Sequence, residues 1–168
     1  MRLYTFGNYY MSSIQQGIQA AHVVSELFVK YQDTGINTIV DYDPTVHEME
    51  YQDKVDTLYD WAYNHKTMVC LNGGNLQGLE DILTLLKDVQ NNLPWATFYE
   101  DEISLGGILT NVGIIIPEYV YESAYKVRNT NHVISNNMLY DIGGEFVCSL
   151  NDFEVNLINL LNSCQLAK

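Results

Sequence analysis

The side chains best suited to chemistry sit in three places. Gln15, Gln19, His22 and Glu26 recur at spacings of four, three and four, which on a helix makes one polar row. A histidine in such a row can act as a general base or orient a water near neutral pH, and an amide one turn earlier is a fixed donor. The ordinary role for such a pair is a satisfied structural polar contact. Glu100-Asp101-Glu102 brings carboxylates, with the hydroxyl of Ser104 close behind; triplets of this kind are more often solvated loops. The stretch 123–140 carries Lys126, Arg128 and His132 and no carboxylate. His47 with Glu48 and Glu50, and His65 alone, lack metal-ligand spacing, so neither a metal nor a cofactor is expected. No G-x-S-x-G pattern supplies a serine nucleophile. Asn72-Gly-Gly-Asn75 precedes a helix and has the form of an anion cradle, but without a phosphate-loop pattern it reads as a turn.

The elements that must position these groups follow from periodicity. Arg2–Phe6 reads as a strand, and Ser12 and Ser13 suit the N-cap of a helix over Ile14–Tyr31. Ile18, Ala21, Val24 and Phe28 are expected to face the core from that helix. Gly35–Asp60 is acidic and turn-rich, with Asp41-Tyr42-Asp43-Pro44 as a breaker, and Asp53–Tyr63 recovers a helix with Val55, Leu58, Tyr59 and Ala62 inward. Thr67–Leu71 is a short strand. Leu76, Leu79, Leu83, Leu86 and Val89 mark a helix over 76–91, stopped by Pro94. Trp95–Tyr99 and Thr110–Ile116 are strands flanking the Glu100–Gly107 loop. Tyr140–Phe146 holds a Gly-Gly turn between alternating runs and reads as a β-hairpin, and Asp152–Leu166 as a closing helix. Strand, helix and strand in this order imply an α/β fold with a small mixed or mainly parallel sheet.

Composition bounds the rest. A chain of 168 residues with 47% hydrophobic content forms one domain, 1–168, with a packed core. Three cysteines, Cys70, Cys148 and Cys164, have no C-x-x-C spacing and suit free thiols in a reducing, cytoplasmic setting. No apolar run is long enough for a membrane span. A net charge of −13, from 21 acidic and 8 basic residues, repels nucleic acid and anionic membranes at long range. It serves solubility, or it meets a basic partner. Usage rich in Asn, Tyr and Ile and poor in Arg fits an AT-rich genome such as a bacteriophage's.

Three collinear segments carry a family resemblance. Met11-Ser-Ser-Ile-Gln-Gln-Gly-Ile-Gln19-Ala-Ala-His22 is similar to the segment M-G-K-G-K-x-A-A-Q-C-S-H of the type-2 peptidyl-tRNA hydrolases, with methionine, glutamine and histidine coinciding. Trp61 lies seven residues before Met68, as a tryptophan precedes the family's K-V-V-V strand. Leu93-Pro-Trp-Ala-Thr-Phe-Tyr-Glu100-Asp-Glu-Ile-Ser104 resembles L-P-x-x-x-x-x-D-A-G-R-T-Q, with Glu100 on the aspartate and Ser104 on the threonine. The resemblance implies a mixed four-stranded sheet with helices on both faces, with 36–50 and 117–151 as insertions. It implies hydrolysis of the ester of peptidyl-tRNA or a similar RNA-linked ester by activated water. His22 would be base or water-orienter, Glu100 would position His22 or the water, and Ser104 would hydrogen-bond the oxyanion. Gln19, Gln15 and Lys66 would bind substrate, joined by Lys126 and Arg128 if the insertion reaches the cleft.

This chain also departs from the family. The family's helix lysines fall on Ser13 and Gln15, and its strand-opening lysine on Met68, with Lys66 two residues away. Glu102 replaces a glycine and Leu105 a glutamine. Fewer cations and more carboxylates imply weak tRNA binding. They equally suit a catalytically lapsed acidic protein that engages or inhibits a basic protein partner, and a homodimer is compatible with either.

Overall fold

The structure, a computed structural model, describes residues 1–32, 46–101, 103 and 106–167. The first strand, β1 (Arg2–Gly7), is buried along most of its length because it is central. Helix α1 (Ser13–Lys30) follows, then α2 (Val46–Asp60), which runs directly into a π-helical turn, Trp61–His65. The second strand β2 (Met68–Asn72), helix α3 (Leu76–Leu86) and strands β3 (Trp95–Tyr99) and β4 (Leu109–Ile116) complete the first unit of the chain. The four strands form one sheet in the order β2-β1-β4-β3. β1 and β2 are parallel, whereas β4 is antiparallel to both β1 and β3, so the sheet is mixed. After it come α4 (Glu118–Asn129), a second sheet of β5 (Val133–Ser135), β6 (Met138–Tyr140) and β7 (Phe146–Ser149), and α5 (Asp152–Ser163).

Alternation along β1 and β4 divides the core in two. Leu3, Ile115 and Ala96 face α1 and α2, where Val23, Leu27, Leu58 and Trp61 are buried against them. Tyr4, Phe6, Val112, Ile114 and Ile116 face the other way, toward α3, α4 and α5 with Leu79, Val120, Phe153 and Leu157. Helices therefore cover both faces of the four-stranded sheet.

The face that α1 buries is turned from the one its sequence suggests. Its inward stripe is Gln16, Gln19, Ala20, Val23 and Leu27, while Ile14 and Ile18 are exposed and Ala21 points outward. Val24 and Phe28 keep partial contact with the core. Two local causes explain the rotation. Gly113 of β4 lacks a Cβ where Val23 comes closest, and Gln19 finds polar partners in Glu100 and Thr110 at the sheet. Helix α2 starts at Val46, so His47 and Glu50 lie on a helix within the stretch expected to be turn-rich. The breaker 41–44 and residues 36–45 of the first expected insertion lie outside the described residues.

The tail holds more structure than a single hairpin. Glu118–Asn129 is a helix within the stretch expected as an insertion, opened by Pro117 and carrying Val120 and Ala124 inward. β5, β6 and β7 form an antiparallel three-stranded sheet, and the β6–β7 connection bends at Asp141–Gly144. β5 and β6 are joined through Asn136 and Asn137, both at positive φ (50° and 60°), a conformation asparagine tolerates better than most residues.

Candidate functional site

The N-terminal half of α1, the end of β3 and the start of β4 meet at one end of the sheet. A capping box starts α1: Ser12 Oγ accepts from the Gln15 backbone N–H, and Gln15 Oε1 accepts from the Ser12 backbone N–H at 3.0 Å. Gln15 is thereby engaged in holding its own helix terminus. The next residue, Gln16, is buried and its amide donates to Met11 O at 3.1 Å.

Gln19 is the centre of the arrangement. It is only 8% exposed, donates through Nε2 to Glu100 Oε1, and accepts through Oε1 from the Thr110 hydroxyl at 3.2 Å. That one amide ties α1 to both β3 and β4. Glu100 is in turn fixed by its backbone N–H, which donates to Ile108 O at 3.0 Å and closes the β3–β4 loop. A charge-assisted bond of this kind, half-buried, is about twice as strong as a neutral one.

His22 lies one turn beyond Gln19 and is exposed. Its ring stacks on Phe98 of β3 at 4.3 Å between centroids and 9° between planes. Neither ring nitrogen has a hydrogen-bond partner among the described residues, so the imidazole is oriented by stacking and its nitrogens are left for solvent. Glu100 thus contacts Gln19 rather than His22. Ser104, Glu102 and Leu105 lie outside the described residues.

The expected cations do not converge here. Lys66 precedes β2, the edge strand opposite β3, which puts it about 14 Å away across three strand spacings. It also sits at the end where β1 begins, while Glu100 sits where β1 finishes. Lys126 and Arg128 are on α4, on the other face of the sheet from α1. Lys30, at the far end of α1, places Nζ 3.3 Å from the Trp95 ring centroid and donates to Trp95 O. Burial, with help from Lys54 and Lys87, lowers its pKa to about 8.

Three groups at this seam escaped sequence reasoning. Thr5 Oγ1, Gln16 Oε1 and Asn111 Oδ1 are buried without a partner among the described residues. Gln16 Oε1 lies about where a side chain at Gly7 would reach, 3.2 Å from the position of its Cβ. A glutamine and an asparagine placed on an amphipathic helix and an apolar strand were the available signal. The motif Asn72–Asn75 is internally satisfied: Asn72 accepts from Gly74 N–H at 2.9 Å and Asn75 caps α3 through Gly78 N–H at 3.1 Å. Among the described residues no group of three or more His, Cys, Asp or Glu can hold a metal ion, and no helix is long and apolar enough to cross a membrane. Cys70, Cys148 and Cys164 are free thiols, and burial raises the Cys164 pKa.

Fold and site together define a mixed α/β protein with a polar seam between its first helix and an antiparallel strand pair. No family model matches the chain, and no curated protein matches it.

Proposed function

We propose that this chain is a divergent relative of the type-2 peptidyl-tRNA hydrolases that cleaves the ester of peptidyl-tRNA or a similar RNA-linked ester. The observation that carries the reading is the Gln19–Glu100 hydrogen bond. It joins the first and third segments of the family resemblance through residues singled out in each. His22, one turn on, stacks on Phe98 beside it, with no hydrogen-bond partner for its ring nitrogens among the described residues. In this reading His22 takes a proton from water as the water oxygen attacks the ester carbonyl. Ser104 donates to the oxyanion, and the imidazolium returns the proton to the departing ribose oxygen. Gln19 and Glu100 act as positioning residues that fix the helix turn carrying His22.

Single-turnover cleavage of peptidyl-tRNA tests it. His22→Ala should slow cleavage by about 10²–10⁴-fold, the usual contribution of general-base catalysis. Glu100→Gln, which keeps a side chain able to meet Gln19, should cost less. No cleavage by the unaltered protein, or an unchanged rate in His22→Ala, would reject the reading.

The scattering of Lys66, Lys126 and Arg128 favours a second reading, an acidic binding protein for a basic protein partner. Each phosphate contact adds about one unit to the salt slope of tRNA binding. The hydrolase reading expects weak tRNA binding with a shallow slope. The binding-protein reading expects no tRNA affinity and capture of a basic protein that fades with salt.

A further inference from the structure

On the face of the sheet opposite His22, β1 and β2 meet α4 and the end of α5 around a cleft of about 980 Å³. That is at the upper end of the range for small-molecule sites. Val69, Leu71, Ala124 and Leu161 give it apolar walls. Arg2, Lys126, Arg128 and His132 line it as well, with Glu122 as the one carboxylate among the lining residues. The balance is inverted relative to the whole molecule, where 21 acidic residues face 8 basic ones.

Glu118 and Glu122 lie near the Tyr121 ring, but among the described residues neither they nor any other carboxylate forms an ion pair with Arg2, Lys126 or Arg128. Arg2 instead holds its guanidinium 4.2 Å from the centre of the Tyr121 ring, a contact that fixes its position while leaving its charge available. The Thr130 hydroxyl engages Nδ1 of His132 at 2.9 Å, and Nε2 has no hydrogen-bond partner among the described residues. In a protein with so many carboxylates, several cations gathered around one apolar cavity, with no ion-pair partner among the described residues, suit a counter-charge from outside the chain.

We infer that this cleft binds a small amphiphilic anion, an apolar or aromatic body bearing one carboxylate or phosphate group. The body fills the space against Leu71 and Leu161, and the head meets Lys126, Arg128 and Arg2. The site is separate from the one at His22 and does not depend on hydrolysis there.

Fluorescence titration with anilinonaphthalene sulfonate, an amphiphilic anion, tests it, with uncharged N-phenylnaphthylamine as the comparison. The folded protein should bind one equivalent of the anionic probe saturably. Lys126→Gln with Arg128→Gln should weaken that binding by about tenfold at low salt while leaving the neutral probe unaffected, since only the charged head meets those side chains. Leu166→Glu, at an exposed cleft residue, should weaken the anion in the same way and guards against a folding defect in the first variant. Competition by phenyl phosphate marks a phosphate head, and competition by phenylbutyrate a carboxylate. Binding of the anion that ignores all three substitutions, equal affinity for the two probes, or displacement by neither competitor would overturn the inference.

Discussion

Adding one methyl group at Gly113 should lift α1 from the sheet. A Cβ there would lie 2.5 Å from Val23 Cγ1, where ordinary contacts begin at 3.4 Å, and also 3.4 Å from Thr5 Cγ2. The helix or the valine must retreat by nearly 1 Å. Overpacking of this size costs about 1–3 kcal/mol, offset by about 0.4–1 kcal/mol because alanine restricts the unfolded chain. Gly113→Ala should therefore destabilise by about 1–2 kcal/mol. Val23 is fully buried, and Val23→Ala should cost about 2 kcal/mol for the lost methyl groups and the space they leave. In the double variant the new methyl occupies that space. Its cost should fall to about 1 kcal/mol against a sum of 3–4, a coupling of roughly 2 kcal/mol or more. Urea unfolding of the four proteins gives the cycle. Because Gln19 sits one turn before Val23, Gly113→Ala should also loosen the Gln19–Glu100 bond, and the double variant should restore it. Additivity within about 0.5 kcal/mol would refute the steric account, since neighbours that share one gap cannot act independently.

Two other outcomes follow from local geometry. Lys30 has a folded-state pKa of about 8, below its unfolded value, so the folded state sheds its proton first. Stability should therefore rise with pH from about 8 toward 10, and Lys30→Met, which removes the titration, should flatten that rise in thermal melts at pH 7 to 9.5. Asn136, at φ 50°, should accept glycine with little change but lose about 1 kcal/mol on Asn136→Ala, measured by chemical denaturation.

The strands and the strongly periodic helices were legible because burial imposes their pattern directly. Trp95–Tyr99 was read to the residue, and Leu76–Leu86 was found with its far end overrun to residue 91, past Val89, which is fully exposed. What failed was the facing of α1. Its sequence suggested the stripe Ile18, Ala21, Val24 and Phe28, yet Ile18 and Ala21 are on the surface and two glutamines are inside. Periodicity weighs side chains by hydrophobicity. It cannot see that Glu100 and Thr110 stand ready to satisfy an amide from another part of the chain. The same limit hid the stacking of His22 on Phe98, a contact between residues far apart in sequence. The helix Glu118–Asn129 was missed although Pro117, Val120, Ala124 and Val127 spell it at spacings of three and four, with Lys126 and Arg128 in the last turn. Lys126 and Arg128 were picked out as binding residues from sequence, but the cleft they line is formed with β1, β2 and α5, which no local pattern indicates.

The two indoles of this protein lie on different sides of its sheet. Trp61 is buried in the layer beneath α1 and α2, whereas Trp95 packs against the layer of α3, α4 and α5 with the Lys30 ammonium over its ring. Each layer thus has its own fluorophore. Emission from Trp61→Phe follows the α3–α5 layer, and emission from Trp95→Phe follows the α1–α2 layer. Coincident melts in the two single-tryptophan proteins mean that the sheet couples its two halves into one cooperative unit, and separated melts mean that one half can loosen while the other holds. The Lys30 ammonium adds a proton-sensitive quencher beside Trp95 alone, so optical titration near pH 8 reads one edge of the molecule without any added label.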